Sequence, residues 1–155
     1  QEDLRKKFFE NAPPTIDKGY YSEKEIEKTA QNLIEWIKSQ GYLSARLITV
    51  KPTISDSTPV TDVKIYLNEG DQTIVRSIQV QGNSLISQTE ILQMLSITEG
   101  APLNVFAFND GLETVKLAYR NRGNLEFAIT NEGQPSVVQY SNKNRWADIL
   151  LEFKE

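Results

Sequence analysis

Near its midpoint the chain reads Thr73-Ile74-Val75-Arg76-Ser77-Ile78-Gln79-Val80-Gln81-Gly82-Asn83. Its β-branched residues favour a pleated strand, and Gly82-Asn83 favours a tight turn because both residue types tolerate positive φ. The run Ser87-Gln88-Thr89-Glu90 then has the spacing of a helix capping box, and apolar residues follow it at helical intervals. Strand, turn and capped helix together predict that a domain begins at Thr73.

The composition argues against several kinds of function. The 155 residues carry a formal net charge of −4, which disfavours a nucleic-acid partner because phosphate binding needs clustered Lys and Arg. The chain has no Cys and no His, so it lacks thiolate chemistry, the commonest general base and the commonest neutral metal ligand. We therefore expect no metal, no cofactor and no small-molecule substrate. Gln1 opens a polar stretch without an initiator Met, which we interpret as a processed protein or an excised fragment.

The first half of the sequence predicts two helices followed by a hairpin. Residues 3–9 suit a short amphipathic helix, which Pro13 and Pro14 end. A capping box at Ser22 starts a second helix, and Gly41 is placed to end it. Two alternating segments follow, and the Pro/Ser/Thr-rich residues between them predict a loop. The segments are residues 43–50 and 62–67, and the loop is residues 52–59.

The second half repeats this order. A helix is predicted to open at Asn109 and to end at Gly123, and strands are predicted over residues 125–130 and 148–153. When Gly41 is set against Gly123, the apolar positions of the helices coincide. When Asp62 is set against Asp148, the final strands coincide as well. The apolar pattern persists while identities differ, as expected of a repeated fold whose core positions need only be hydrophobic.

The repeat predicts an α+β fold built from two tandem β-α-α-β-β units. Residues 1–72 form the first unit, which is N-terminally incomplete because its opening strand is absent, and residues 73–155 form the second, which is complete. Counting chain directions puts the third strand of a unit in the middle, parallel to the first strand and antiparallel to the second. Each unit is then a three-stranded mixed sheet covered on one face by two helices. The second strand is a free edge, and the central strand of the first unit has an uncovered side.

Three short motifs mark the boundaries of the two units. They are Ile78-Gln79-Val80-Gln81-Gly82-Asn83 at a domain start, Gly41-Tyr42-Leu43-Ser44-Ala45 after a second helix, and Asn68-Glu69-Gly70 at a domain end. With these motifs the arrangement resembles tandem POTRA domains, the polypeptide-transport-associated repeats of BamA-like surface antigen proteins that assemble outer-membrane β-barrels. The resemblance covers nearly the whole chain. One departure is Gly123-Asn124, where the family usually has Gly-Tyr.

The resemblance implies a non-enzymatic scaffold in the periplasm. In the full-length protein it would be attached to the outer membrane of a Gram-negative bacterium, with a C-terminal membrane β-barrel. Its partners would be unfolded outer-membrane proteins or assembly lipoproteins, bound by strand addition at sheet edges. The alternative is a docking or spacer module of a two-partner secretion transporter or a division protein, with no peptide-chaperone role. A small hydrolase or carbohydrate-binding module would rest on carboxylate pairs alone, and helix N-termini favour acidic residues anyway.

The free edges point to the same binding mode from physical chemistry, because an edge strand exposes unpaired N–H and C=O groups. Arg46 and Glu126 are open to another interpretation, since edge charges also deter pairing. Tyr20-Tyr21 and Phe106/Phe108 are expected to pack at helix ends or between helices rather than to serve as exposed anchors. The candidate protein-binding residues are Leu43, Ser44, Ala45, Arg46, Leu47, Ile48, Thr49, Leu125, Glu126, Phe127, Ala128, Ile129 and Thr130.

Overall fold

The structure is a computed structural model that describes residues 2–54 and 61–155. Its contacts divide the chain into two compact units, one formed by Gln1–Lys38 with Tyr42–Gly70 and the other by Ser39–Gly41 with Asp71–Glu155. Both units contain helices and an open sheet, so the predicted α+β class is confirmed. Within the two described ranges, no helix is long and apolar enough to cross a membrane.

The first unit combines three helices with a two-stranded antiparallel sheet. Its core lies where the apolar stripe of the long helix meets the first helix and the sheet. The short second helix was not predicted, although a proline at a first helical position suits its fixed φ. The elements are α1 (Glu2–Glu10), α2 (Pro14–Asp17), α3 (Glu23–Ser39), β1 (Arg46–Ile54) and β2 (Thr61–Asn68).

The hairpin of the first unit differs from its prediction at both ends of β1. The strand begins at Arg46, because residues 42–45 form a turn closed by the Ala45 N–H, which donates to the Tyr42 carbonyl over 2.9 Å. It then runs through Pro52, which faces Val63 of β2 in the ladder. The predicted strand start at Leu43 and loop start at Pro52 are therefore wrong. Residues 55–59 of the predicted loop lie outside the described residues.

The second unit follows the predicted strand order. Its last strand is central, parallel to the opening strand and antiparallel to two short strands on its other side, so the predicted mixed topology is confirmed. Burial alternates along the central strand, which gives the sheet one apolar face. The elements are β3 (Ile74–Gln81), α4 (Gln88–Leu95), α5 (Val105–Asn121), β4 (Ala128–Ile129), β5 (Val138–Ser141) and β6 (Trp146–Lys154).

Side-chain caps fix where the two helices of this unit begin. The Ser87 hydroxyl accepts from the Glu90 N–H over 3.3 Å, as the capping-box spacing predicts. The Asn104 carboxamide accepts from the Phe106 and Ala107 N–H groups over 3.1 Å each. Because this cap starts α5 at Val105, the predicted start at Asn109 is wrong.

Gly82 ends β3 for two physical reasons. Its φ is +79°, a conformation that L side chains rarely adopt. The carbonyl oxygen of Phe153 in β6 also occupies the position that a Cβ would need. The turn after β3 can therefore pass closely over the end of β6.

Candidate functional site: open sheet edges

Strand addition requires a sheet edge whose main-chain N–H and C=O groups have no partner. The described sheets have four outer sides to compare with this requirement, which are the outer sides of β1, β2 and β3 and the side formed by β4 and β5. These sides differ in length, covering and charge, and the differences decide which of them can accept a strand.

The outer side of β1 is the longest of the predicted binding edges. Among the described strands β1 pairs with β2 alone, and it is nine residues long. Of the predicted residues in this segment, four lie in the strand and three lie in the turn before it. Those in the strand are Arg46, Leu47, Ile48 and Thr49, and those before it are Leu43, Ser44 and Ala45.

Three features of β1 limit how a second strand can pair with it. The register with β2 shifts between Leu47 and Thr49, which leaves Ile48 bulged and 60% exposed. Lys51 and Pro52 follow within the strand, and a charged residue and a proline both discourage pairing along an edge. The uninterrupted stretch between the bulge and the proline is therefore short.

The second predicted edge is largely absent from the second unit. Ala128 and Ile129 form the two-residue β4, whereas Leu125 and Glu126 lie in a turn. Leu125 is 79% exposed, and the Phe127 ring stacks on that of Tyr119 at a centroid distance of 3.7 Å. The prediction of a continuous strand over residues 125–130 is therefore wrong.

Asn131 takes the place of the missing strand. Its side chain, 2% exposed, donates to the Leu150 carbonyl over 2.8 Å and accepts from the Glu152 N–H over 3.1 Å. Main-chain groups before and after Asn131 also bond to β6. The Thr130 N–H donates to the Glu152 carbonyl over 2.8 Å, and the Leu150 N–H donates to the Val137 carbonyl over 3.0 Å. The middle of β6 is thus satisfied by one carboxamide, while the chain between residues 131 and 137 forms turns.

The outer side of β3 is covered by the segment just before α5. The Val75 N–H donates to the Ala101 carbonyl over 2.9 Å, and the Gly100 N–H donates to the Val75 carbonyl over 2.8 Å. The Glu99 carboxylate accepts from the Ile78 N–H over 2.8 Å. These groups are not free to bind another strand.

Two carboxylates of the second unit hold β3 and its turn against β6. Asp148 accepts from the Arg76 guanidinium through both oxygens and from the Ser77 hydroxyl, and its pKa is lowered chiefly by the Arg76 hydrogen bond. Glu155 accepts from the Ser84 hydroxyl, the Ser84 and Leu85 N–H groups and the Tyr119 hydroxyl.

The surroundings of Tyr119 and Glu155 shift the pKa values of both side chains. Hydrogen bonds lower the pKa of Glu155 to about 2. The largest contribution comes from the Ser84 hydroxyl, and smaller ones come from the Leu85 N–H and the Tyr119 hydroxyl. Burial raises the pKa of Tyr119, and the hydrogen bond to Glu155 raises it further. Glu155 therefore stays ionised at neutral pH and anchors the turn that follows β3.

The free side of β2 borders an apolar groove of 1170 Å³ within the first unit. Helix and sheet residues such as Leu4, Phe8, Ile26 and Val63 line it, and exposed aromatic rings lie along it. The expectation that Tyr20, Tyr21 and Phe106 would pack between or at the ends of helices is wrong, since Tyr20 is 66% exposed and the other two are also exposed, whereas Phe108 is buried as expected.

None of the predicted binding residues lines this groove. The repeat pattern predicted only an uncovered side of the central strand in the first unit. Its lining comes from α1, α2, α3 and β2, which are distant in sequence, so no local pattern marks it. The described residues include no cluster of three or more acidic side chains suited to a metal ion.

The fold and the sheet edges are those of a class of proteins built from repeated α+β modules, whose small sheets leave strand edges open. A family model described as "Surface antigen variable number repeat" matches residues 1–70 and again residues 73–155. The chain therefore belongs to the POTRA family, with two consecutive matches to its repeat.

Two curated proteins are similar to this chain in sequence. The outer membrane protein assembly factor BamA of Neisseria meningitidis serogroup B (strain ATCC BAA-335 / MC58) is 25% identical over 153 residues, which is 86% of this chain and 19% of that protein. A putative outer membrane protein assembly factor of Treponema pallidum (strain Nichols) is 24% identical over 112 residues, or 70% of this chain and 13% of that protein. The chain spans less than a fifth of the length of these relatives.

The fold is also found in a solved structure. The crystal structure of BamA from Haemophilus ducreyi lacking POTRA domains 1–3 matches 87% of this chain and 24% of that chain. The TM-score is 0.51 and the sequence identity is 18%, so the likeness concerns the fold alone.

Proposed function

We propose that this chain is a non-enzymatic periplasmic scaffold that takes part in outer-membrane protein assembly by binding extended polypeptide along the outer side of β1. Family membership supports the assembly role, since both curated relatives are named as outer-membrane assembly factors. The observation that carries the binding mode is the nine-residue β1, whose outer side faces no other described strand.

The other predicted edge is a poorer binding surface. β4 has two residues and β5 has four, and between them the chain turns away around Asn131. An added strand gains most of its affinity from a continuous row of main-chain hydrogen bonds, which this side does not offer. We therefore place binding on β1 and not on residues 125–130.

The bulge at Ile48 and the proline at position 52 shorten the row of hydrogen bonds that a client can make on β1. We expect weak and reversible binding, which suits a scaffold that has to release its clients.

A titration followed by backbone amide chemical shifts tests this proposal. The isotope-labelled chain is mixed with a peptide copied from a strand of an outer-membrane β-barrel. The matched control is the same peptide with the backbone nitrogens methylated along both edges, which keeps every side chain and removes the donors. We expect shift changes along Arg46–Ile54 with the first peptide and none with the second.

Equal changes with both peptides would show that side chains, and not strand pairing, drive binding. Changes confined to residues 125–130, or no change at all, would also contradict the proposal. The last result would favour the docking or spacer alternative.

A further inference from the structure

The outward face of the hairpin formed by β1 and β2 is positively charged. Apolar residues of both strands, such as Val50 and Ile65, pack towards the core of the first unit, so the residues that alternate with them point outward. The outward residues include Arg46 and Lys51 of β1 and Lys64 of β2, all exposed. β1 carries no acidic residue, although the chain as a whole has a net charge of −4. The edge proposed to bind polypeptide is therefore basic in an acidic chain.

Two of these cations face each other across the hairpin. Lys51 lies directly opposite Lys64 in the ladder, an arrangement of like charges that destabilises a sheet. The Lys51 ammonium lies 5.6 Å from the centroid of the Tyr66 ring, but none of the three basic side chains forms a hydrogen bond or an ion pair with a described residue. The one carboxylate on the two strands, Asp62, lies opposite Thr53 towards the end of the hairpin. The paired lysines therefore leave positive charge that a bound carboxylate would balance.

A strand added along β1 would bring its side chains within reach of these cations. Side chains directly opposite each other on neighbouring strands have Cβ atoms about 4.5–5.5 Å apart, and every second residue shares a face. The bulge at Ile48 adds one residue to β1, so Arg46 and Lys51 match positions that are four residues apart on β2, namely Asn68 and Lys64. A regular strand on the other side of β1 would therefore meet both cations with residues four apart on its outward face.

We propose that Arg46 and Lys51 make the β1 edge selective for extended segments that carry two acidic residues four positions apart. The inference rests on the proposed binding of polypeptide along β1, and it names the class of segment that this edge prefers. One carboxylate pairs with Lys51 and offsets its repulsion with Lys64, and the other pairs with Arg46. The rest of the segment is held by main-chain hydrogen bonds, which do not depend on its sequence.

The same charges determine which strands the edge rejects. A segment with basic residues on its outward face would place like charges opposite Lys51, which is unfavourable. Pairing between the β1 edges of two copies would do the same, since each strand has two basic residues and no acidic one. Charges that deter one kind of strand therefore admit another, and the deterrent role of Arg46 is compatible with a role in binding.

Three peptides of nine residues, the length of β1, test the selectivity. Each alternates Thr on one face with Val on the other, and its third and seventh positions are both aspartate, both asparagine or both lysine. Asparagine is the matched control, because it has nearly the shape of aspartate and no charge. Titration of the labelled chain, followed by amide shifts along Arg46–Ile54, gives the affinities.

We expect the aspartate peptide to bind about fivefold more tightly than the asparagine peptide at low salt, the gain expected of two exposed ion pairs. The lysine peptide should bind most weakly, and added salt should reduce all these differences. A fourth peptide, with aspartate at its third and fifth positions, tests the spacing. Both of its carboxylates point outward but only one lies opposite a cation, so its gain over asparagine should be about twofold.

Charge reversal in the protein identifies the contacts. Lys51→Glu places opposite charges across the hairpin from Lys64 and should abolish the preference for aspartate over asparagine. With Arg46→Glu added, the lysine peptide should bind most tightly. Lys28→Glu is the control and should leave the order of the peptides unchanged, because Lys28 is an exposed residue of α3, which packs on the core-facing side of the sheet. Circular dichroism confirms that each variant is folded.

The possible results separate this selectivity from the proposed function. Shift changes in β1 that are equal for the aspartate and asparagine peptides would overturn the selectivity and leave binding along β1 in place. So would a preference for aspartate that survives in Lys51→Glu, or tightest binding of the lysine peptide to the wild-type chain. Absence of shift changes in β1 with every peptide would overturn both the selectivity and the proposed binding.

Discussion

At the scale of single residues, Asn131 determines where the edge of the second sheet ends. Its carboxamide has a donor and an acceptor in the arrangement of a peptide group, so one side chain can satisfy both the Leu150 carbonyl and the Glu152 N–H. This leaves β6 fully bonded at its middle without offering a long outer edge.

Replacing Asn131 by alanine should lower the free energy of unfolding of the second unit by about 2–4 kcal/mol, because two main-chain groups lose their partners in a buried position. Urea denaturation measures this change. Gln134→Ala is the control, since Gln134 is exposed in the same loop. A loss no larger than that of the control would show that water replaces the carboxamide.

Glu155 gives the second unit a pH-dependent contribution to stability. Its folded pKa of about 2 lies below the value of 4.5 expected for the unfolded chain. Above pH 4.5 the carboxylate is ionised in both states and its full contribution is present. As the pH falls towards 2, the unfolded state takes up the proton first, and the contribution is lost.

The difference in unfolding free energy between the wild-type chain and Glu155→Gln should therefore be constant near neutral pH and should shrink between pH 4.5 and pH 2. Denaturation curves at stepped pH give this difference. Glu126→Gln is a suitable control, because the Glu126 side chain is exposed and makes no hydrogen bond to a described residue. A difference that stays constant down to pH 2 would contradict the assignment.

At the scale of elements, α3 and β6 were predictable because their patterns are local and complete. β6 alternates strictly, and the apolar residues of α3 recur at helical spacing. The start of α5 was predicted wrongly because the helix is capped by Asn104, five residues before the predicted start at Asn109. The extent of β1 and the brevity of β4 could not be predicted, since both depend on how another segment of the chain pairs with them.

The close contact between α4 and α5 depends on Gly111. A Cβ there would lie 2.5 Å from the Leu95 Cα and 2.8 Å from the Met94 carbonyl oxygen. Alanine gains about 1 kcal/mol in helix propensity, but overpacking costs about 1–3 kcal/mol. Because both clashes are with backbone atoms, we expect Gly111→Ala to destabilise the second unit by about 1 kcal/mol.

Thermal unfolding tests this expectation. Asn109→Ala, at an exposed position of the same helix, should be neutral or slightly stabilising. If Gly111→Ala raised the Tm as much as this control did, the helix contact would not be as close as the structure has it.

At the scale of the whole molecule, one repeat pattern produces two units with different open surfaces. The second unit has its opening strand, and hydrogen bonds cover part of the outer side of β3 and bridge the gap between β4 and β5. In the first unit the outer side of β1 is a nine-residue edge that pairs with no described strand. Binding of extended polypeptide is therefore expected to concentrate on β1.

Residue-resolved amide hydrogen exchange, with and without an unfolded outer-membrane β-barrel polypeptide, tests this expectation most directly. Adding the polypeptide should slow exchange at alternate residues of β1, which point away from β2, and should leave β4 and β5 unchanged. Slowed exchange at residues 125–130 with none in β1, or no change in either unit, would contradict the proposed role.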